Sequence, residues 1–512
     1  MASPLFSTKE LVPLFVVIPI LAAVLSNFLY KRSRAVKVLA GCVMLVLVLL
    51  PFFTSFQSNY YVYGAHPQVN YVLKEGVAMA FNLGIAYQYT QLQMVLLMAF
   101  TLMSALSVGV AFVMHDRVSG VYIFLILMAI SSACAVCLVD DVFNMFVFFE
   151  ICTVAQAGIV AWLSEGNAFR TSLKYMLLGS VAGGMLLLGI AFLLGSTGVL
   201  NVSDMFEYFS TTATRRDAPI VFMGLALLIF AWCYGGGLPP FHTIKSELYS
   251  RASAEAGAVL QAISKVLLIS VGVIVARLFF WQDVTWQSMM ILSTFGMMIG
   301  GAMAMVQNDY RRLIAYVAVN QAGIVGIGLS FFRRLPQYGT MGPLYLWGHE
   351  GMAYGIFHGF NEIIVTSALF ISAAVLLRTF GHTDMTKLCG MLQRNKEFAL
   401  LTLISMLAVS GMPPLNCFQS EWRLIQFAFS HGFTTIGLLM VVSTVMVFYA
   451  LAKAFVLVFL RPGPAEQAKP LQIPFAMTLA LMVAVVLEVF FGLFPDVALD
   501  PISAGLTALF GG

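Results

Sequence analysis

Four ionisable residues, Glu150, Lys265, Glu421 and Lys453, fall inside apolar stretches where a charge is expensive. A charged side chain at bilayer depth costs about 2.5–3.5 kcal/mol on insertion scales, so each is a functional candidate by default. Glu150 lies about nine residues into its run, roughly 13 Å deep at about 1.5 Å per residue. Lys265 lies about ten residues into its own, also near mid-depth. Glu362 follows His358 by four residues and so shares a helix face with it. Carboxylates, amines and imidazoles can hand on a proton when burial and neighbours bring their pKa values together. Any one of them could instead be a structural ion pair between helices. The four together, at mid-span or beside an interruption, point to a relay. Glu488, nearer the end of its run, reads as a snorkelling or packing residue. His242 and His358 suit a hydrogen-bonded core as well as a relay, and His115 and His382 read as loop residues. Asp140 and Asp141 read as markers of a span's end.

The interruptions are a matched pair. GLPPFHTIKSEL, Gly237 to Leu248, aligns without gaps with GMPPLNCFQSEW, Gly411 to Trp422. Gly237 and Gly411, Pro239 and Pro413, Pro240 and Pro414, Ser246 and Ser420, and Glu247 and Glu421 are identical at matching places. Such a break frees backbone groups that lipid cannot satisfy, so it must be buried in protein or line a wet cavity. Broken apolar segments in corresponding halves are a sequence pointer to a transport site.

The elements that must position these groups follow from composition. The chain has 512 residues, 60% hydrophobic and 10% charged, with mean hydropathy +0.92. Soluble domains carry roughly 25% charged residues, so this is a polytopic all-α membrane protein. Apolar runs near 11–29, 35–54, 91–114, 118–138, 142–163, 172–195, 218–252, 255–278, 286–306, 313–332, 353–377, 398–430, 433–460 and 473–495 give fourteen spans. Residues 55–90 and 196–217 read as polar connections, and the segment after Phe494 as a short tail. Lys31, Arg32, Arg34, Lys37, Arg117, Arg170, Lys174, Arg311, Arg312, Arg378, Lys387, Arg394, Lys396, Arg461 and Lys469 fall in odd-numbered connections. Fewer, chiefly Lys74, Arg215, Arg216, Arg333 and Arg334, fall in even ones. The positive-inside rule then puts odd connections in the cytoplasm and both termini outside. The run at 11–29 is longer than a signal-peptide core and reads as a retained first span.

A second echo, QAGIV at Gln156 and again at Gln321, has an offset close to that of the breaks. Spans four to eight would then repeat as nine to thirteen. An odd number of spans per unit makes the repeat inverted. The expected organisation is 1–114 for helices one to three, 115–280 and 281–460 for two five-helix repeats, and 461–512 for helix fourteen and a tail. Seven cysteines include the pair Cys134 and Cys137, with no second pair or nearby histidine to complete a metal or cluster site. No Rossmann, Walker or haem motif appears. No metal, cofactor or catalytic centre is therefore expected on this chain, and nothing points to nucleic acid.

The motifs from about 120 to 460 resemble the antiporter-like subunits of respiratory complex I, the large subunits of Mrp-type cation/proton antiporters, and their counterparts in membrane-bound hydrogenases. They are NMFVFFE ending in Glu150, LKYMLLG holding Lys174, PFH from Pro240 to His242, ISKV holding Lys265, DYRRLIAY from Asp309, and LAVSGMPPLN from Leu407, followed by Glu421. The resemblance implies fourteen helices, two inverted five-helix repeats and a central chain of charged groups carrying protons. It implies Glu150 as the intake-side glutamate, Lys265 as the mid-membrane lysine and Glu421 as the terminal acid. There are departures. The family's lysine on the broken seventh helix is here Gly235. Its tenth-helix histidine is Gln321. In the eleventh helix a second histidine and a lysine are replaced by Glu362 and Thr366. Lys245, across the break, is the candidate substitute for the missing partner of Glu150.

The expected function is proton translocation, or Na⁺/H⁺ antiporter-like exchange, by a subunit of a multi-subunit energy-converting complex in a prokaryotic cytoplasmic membrane, with redox cofactors in partner chains. The relay would comprise Glu150, Lys174, Lys245, Glu247, Lys265, His358, Glu362, Glu421 and Lys453. Two rival readings are a proton-path partner of an inorganic-carbon uptake system and a structural subunit that has lost transport.

Overall fold

The computed structural model describes residues 8–54, 59–63, 69–72, 78–81, 85–162, 167–211, 218–332, 348–462 and 470–510. The basic residues Lys74, Arg215, Arg216, Arg333, Arg334 and Lys469, which bear on topology, lie outside them. The apolar runs become α1 (Leu14–Phe28), α2 (Ser33–Phe53), α3 (Gln91–Met114), α4 (Gly120–Leu138), α5 (Val142–Ala161) and α6 (Asn167–Thr197). Then come α7 (Pro219–Gly236), α8 (His242–Arg251), α9 (Ala254–Leu278), α10 (Asp283–Val306), α11 (Tyr310–Ser330) and α12 (Gly348–Phe380). The chain continues through α13 (Lys396–Val409), α14 (Asn416–Ser430), α15 (Thr434–Phe455), α16 (Phe475–Leu493) and α17 (Asp496–Phe510). Among the described residues twelve helices are long and apolar enough to cross a membrane, and α1 is shorter. The protein is thus an integral membrane protein of helices, the architecture in which backbone polar groups are satisfied without water.

Helix ends are closed by the polar residues that flank the runs. Thr90 and Gln93 form a capping box on α3, and Asp141, Asp309 and Asn395 accept from backbone amides of α5, α11 and α13. Asp141 therefore marks a span's end as expected. Asp140 does more, because it forms a buried 3.1 Å ion pair with Arg277 at the far end of α9.

Burial sorts the helices. The apolar windows of α9 and α11 are each 94% buried, whereas those of α2, α6 and the span from Thr434 to Leu460 are 39%, 39% and 33% buried. Lys265 therefore rides on a central helix, and the outer helices present apolar side chains to lipid. Close helix contact at the centre depends on glycine. A Cβ on Gly328 of α11 would lie 2.3 Å from the Gly355 Cα of α12. This small-residue approach lets the short polar side chains one to two turns away reach across.

Three parts of the chain differ from expectation. Within 55–90 the described residues include two antiparallel strand pairs, Asn59–Tyr63 with Ile85–Tyr89 and Val69–Val72 with Ala78–Phe81. Their Tyr/Val-rich pattern was masked by the polar residues between. Residues 196–217 contain a helix, Val202–Thr211. The tail after Phe494 is helix α17, which buries Leu499, Ile502 and Leu506; its helical spacing of apolar residues was legible but too short to suggest a span.

Candidate functional site

Both interruptions are real breaks in helices. α7 ends at Gly236 and α8 starts at His242; α13 ends at Val409 and α14 starts at Asn416. Gly237 and Gly411 take positive φ, +76° and +66°, which a residue with a Cβ adopts only at a cost of about 1–2 kcal/mol. Each turn also carries a cis Pro-Pro bond, Pro239-Pro240 and Pro413-Pro414. The missing Cβ has a second use. A Cβ on Gly237 would meet the Lys245 Cγ at 2.8 Å, and one on Gly411 would meet the Glu421 Oε2 at 2.5 Å. At each break an ionisable side chain folds back over the glycine.

The second break carries the densest polar network. His358 on α12 is fully buried, its Nε2 2.6 Å from Gln321 Oε1 on α11 and its Nδ1 2.9 Å from Ser420 Oγ on α14. Gln321 interacts in turn with Glu421, which also accepts from Thr444 on α15 at 3.3 Å. Asn361 and Asn416 bond each other across the break at 3.2 Å. One turn beyond His358, Glu362 accepts a hydrogen bond from Thr366. Lys265 donates to the Ala318 carbonyl at 2.7 Å. Its ammonium and the Glu362 carboxylate interact electrostatically without an ion pair inside 4.0 Å. Cys417, at the start of α14, lies within electrostatic reach of Lys265, Glu362, Glu421 and Glu488. Lys265, His358, Glu362 and Glu421 are thus brought together, all 3% exposed or less.

Lys245 belongs to the first break and meets α9 there. It is fully buried and donates to Tyr175 Oη at 3.1 Å and to Ser264 Oγ at 3.0 Å, beside Lys265. Its ammonium also lies 5.1 and 5.5 Å from the centroids of the Tyr175 and Tyr234 rings, a favourable placement for a desolvated cation.

The remaining relay candidates are elsewhere. Glu150 on α5 is half-buried against Gly183 of α6. Its buried Oε1 has no hydrogen-bond partner among the described residues. Lys245 is not in ion-pair contact with it. Lys174 and Glu247 pair with each other at 3.5 Å, but with side chains 47% and 41% exposed, on the outer surface of α6 and α8. Lys453 donates to the Met305 and Gln307 carbonyls at 3.1 and 3.0 Å. That caps the C-terminal end of α10, where a cation opposes the helix dipole. His242 is half-buried at the start of α8.

Two placements sharpen the sequence reading. Glu488 is the packing residue and not the snorkelling one: it is fully buried and accepts from Ser405 of α13 at 2.8 Å. His115 is more than a loop residue, since its Nε2 lies 2.9 Å from Glu255 Oε1. Glu255 went unremarked because an acid in a helix's first turn is ordinary; only its burial sets it apart. The cysteines Cys134 and Cys137 are buried free thiols. No group of three or more His, Cys, Asp or Glu is arranged to hold a metal among the described residues.

Comparison with known proteins places this geometry. The family described as "NADH:quinone oxidoreductase/Mrp antiporter, TM" matches residues 139–447, the stretch holding both breaks and the buried cluster. An uncharacterized protein of Methanocaldococcus jannaschii is 35% identical over 491 residues, covering 95% of each chain. A Na⁺/H⁺ antiporter subunit of Bacillus subtilis is 25% identical over 67% of this chain and 68% of its own. Among solved structures, a chain of the Mrp complex from Dietzia sp. DQ12-45-1b superposes with a TM-score of 0.83 at 18% identity, covering 99% of this chain and 98% of that one.

Proposed function

Because the chain belongs to the NADH:quinone oxidoreductase/Mrp antiporter transmembrane family, we propose that it is an ion-translocating membrane subunit of a multi-subunit energy-converting complex. The observation that carries this reading is the buried network of Lys265, Glu362, His358, Gln321 and Glu421 at the second helix break. Desolvating that many ionisable groups is costly. A structural cross-link would be expected to close into ion pairs, yet Lys265 and Glu362 stop short of one. Groups poised near contact, linked by side chains that both donate and accept, suit stepwise proton transfer. The transported ion is then H⁺, with Na⁺/H⁺ exchange the antiporter-like variant.

The relay runs from Lys245 through Ser264 to Lys265, then by Glu362 and His358 to Gln321 and Glu421. Glu150 lies to one side and joins through water near its unpartnered oxygen. Lys174 and Glu247 sit where a neighbouring subunit would contact this one, and Lys453 holds a helix end. The fourteen-span count follows if α1 and the broken pair α13–α14 are each taken as crossings. Residues 115–280 and 281–460 are then the two inverted repeats, between 1–114 and 461–512. The membrane is the prokaryotic cytoplasmic one, with odd connections inside and both termini outside. Partners are further membrane subunits, and any redox cofactors belong to them.

A second reading, a chain that packs its complex but conducts nothing, draws on one observation: Glu150 lacks a basic partner at Gly235. A third is the proton-path partner of an inorganic-carbon uptake system, and what the chain copurifies with separates the two assemblies. Extracted in mild detergent from its own membrane, it is expected to bring other membrane subunits, including redox or antiporter chains. Full proton or Na⁺ flux in vesicles containing this chain alone would contradict the multi-subunit reading.

A further inference from the structure

Far from the second break, where the connections α3–α4 and α8–α9 meet, a second titratable cluster is built around Glu255. Its carboxylate is 1% exposed. Oε1 takes the His115 Nε2 at 2.9 Å and a hydrogen bond from Tyr122 Oη at 3.2 Å. Tyr122 also lies 3.3 Å from Ser253 Oγ. Oε2 is buried and has no hydrogen-bond partner among the described residues. His115 bridges inside and outside, its side chain being 35% exposed while touching the buried acid. The hydrogen bond to Glu255 raises the His115 pKa above the ordinary histidine value, against the opposing effects of burial and of Lys37.

Three of the neighbouring helices add positive charge here. From α2, Lys37 donates to the Phe112 and His115 carbonyls at 2.8 and 3.1 Å. From α11, Arg311 donates to the Ala252 carbonyl at 3.1 Å and acts electrostatically with Arg251, Arg312, Asp309 and Glu255. From α12, Arg378 bonds the Val113 carbonyl. These cations close helix C-termini and at the same time surround a buried carboxylate whose imidazole partner faces water.

The acid also lies on the right helix. Glu255 starts α9, and Lys265 follows ten residues later, roughly 15 Å along the axis at about 1.5 Å per residue. Polar groups fill the interval between α9 and α12. Ser367 Oγ lies 3.5 Å from the Ala258 carbonyl and 2.9 Å from Gln261 Nε2, and the adjacent Thr366 is bonded to Glu362. Gln261 Oε1, like Glu255 Oε2, is a buried acceptor with no hydrogen-bond partner among the described residues. Buried acceptors of this kind are where proteins hold bridging water.

We propose that His115 and Glu255 form the port at which the chain takes up protons, and that Gln261 and Ser367 continue the path to Glu362 and Lys265. The imidazolium gives its Nε2 proton to Glu255 Oε1, and the half-exposed ring then swings to water and takes a new proton on Nε2. The carboxyl turns about its Cγ–Cδ bond so that the protonated oxygen faces inward, releases the proton there and regains its charge for the next. Tyr122 and Ser253 hold the carboxylate in line. As a purely structural first-turn acid, Glu255 would serve the helix dipole alone and leave the pH dependence of flux untouched.

This port rests on the transport reading above, so the test carries an arm for each. Sealed vesicles containing the intact complex, oriented with the His115 face outward, are assayed for initial proton uptake across a range of outside pH. Glu255→Gln should slow uptake about tenfold. His115→Gln should move the alkaline fall-off of uptake to lower pH by about one unit, because it removes a group that holds its proton to higher pH. If Lys265→Ala stops uptake while both port variants keep the wild-type rate and pH profile, the port is refuted and the transport reading stands. If Lys265→Ala leaves uptake intact, the transport reading falls and the port with it. Should Glu255→Gln fail to assemble, the half-exposed His115→Gln decides: an unshifted profile overturns the proposal.

Discussion

Vesicles containing the complex with Lys265→Ala are expected to lose proton uptake about hundredfold, measured as initial rate per assembled complex. Lys265 sits on one of the two most buried helices, and its ammonium is the cation that acts on the Glu362 carboxylate. On the proposed relay, a neutral side chain there removes a proton carrier beside the second break. It also leaves Glu362 without its nearest cation, at a stability cost of about 1–3 kcal/mol. Lys265→Met keeps most of the volume and none of the charge, so it separates the two effects. Loss of flux in Lys265→Met with normal assembly assigns the loss to the missing proton carrier. Wild-type flux in both variants would make Lys265 a packing residue.

The second large effect concerns Lys245. Lys245→Met is expected to cut flux about tenfold or more while the complex still assembles, because methionine can occupy the slot beneath Tyr175 and Tyr234. The amine stands across the break from Gly235, its side chain folded over Gly237, and supplies a cation at the first break that α7 itself lacks. It bonds Ser264, the neighbour of Lys265 in sequence, and makes no ion pair with Glu150. Glu150→Gln is therefore expected to have the smaller effect of the two. Equal loss in both variants would mean that Glu150 and Lys245 meet during turnover. Near-normal flux in Lys245→Met would leave Lys245 as a structural cation held by two aromatic rings.

Much of this was legible because membrane solvation is strict. An apolar run of about twenty residues has few alternatives to a helix, and a Gly-x-Pro-Pro within one has few to a break. Lys265, His358, Glu362 and Glu421 were visible by the cost of placing them in hydrocarbon. What the sequence could not supply was distance. Lys174 is a relay candidate by its motif and Glu247 by its place beside the first break, yet they pair on an exposed face. Lys453 proves to cap α10, a partner 145 or more residues away in the chain. Glu488 and Glu255 were passed over for the opposite reason: both lie near helix ends, where a carboxylate normally reaches water. Here α13 packs against one, and α3 and α4 cover the other. Linear depth along a run is a poor measure of burial once a connection folds back over its end.

The heart of the account is that carboxyls beside the second break change protonation as ions cross. Infrared difference spectra of the working complex, recorded on energising the membrane, read this directly. The expected result is a carboxyl-stretch change that disappears in Glu362→Gln and shrinks in Glu421→Gln, in parallel with lost flux. A complex that moves protons at the wild-type rate with no carboxyl change at either residue would contradict it.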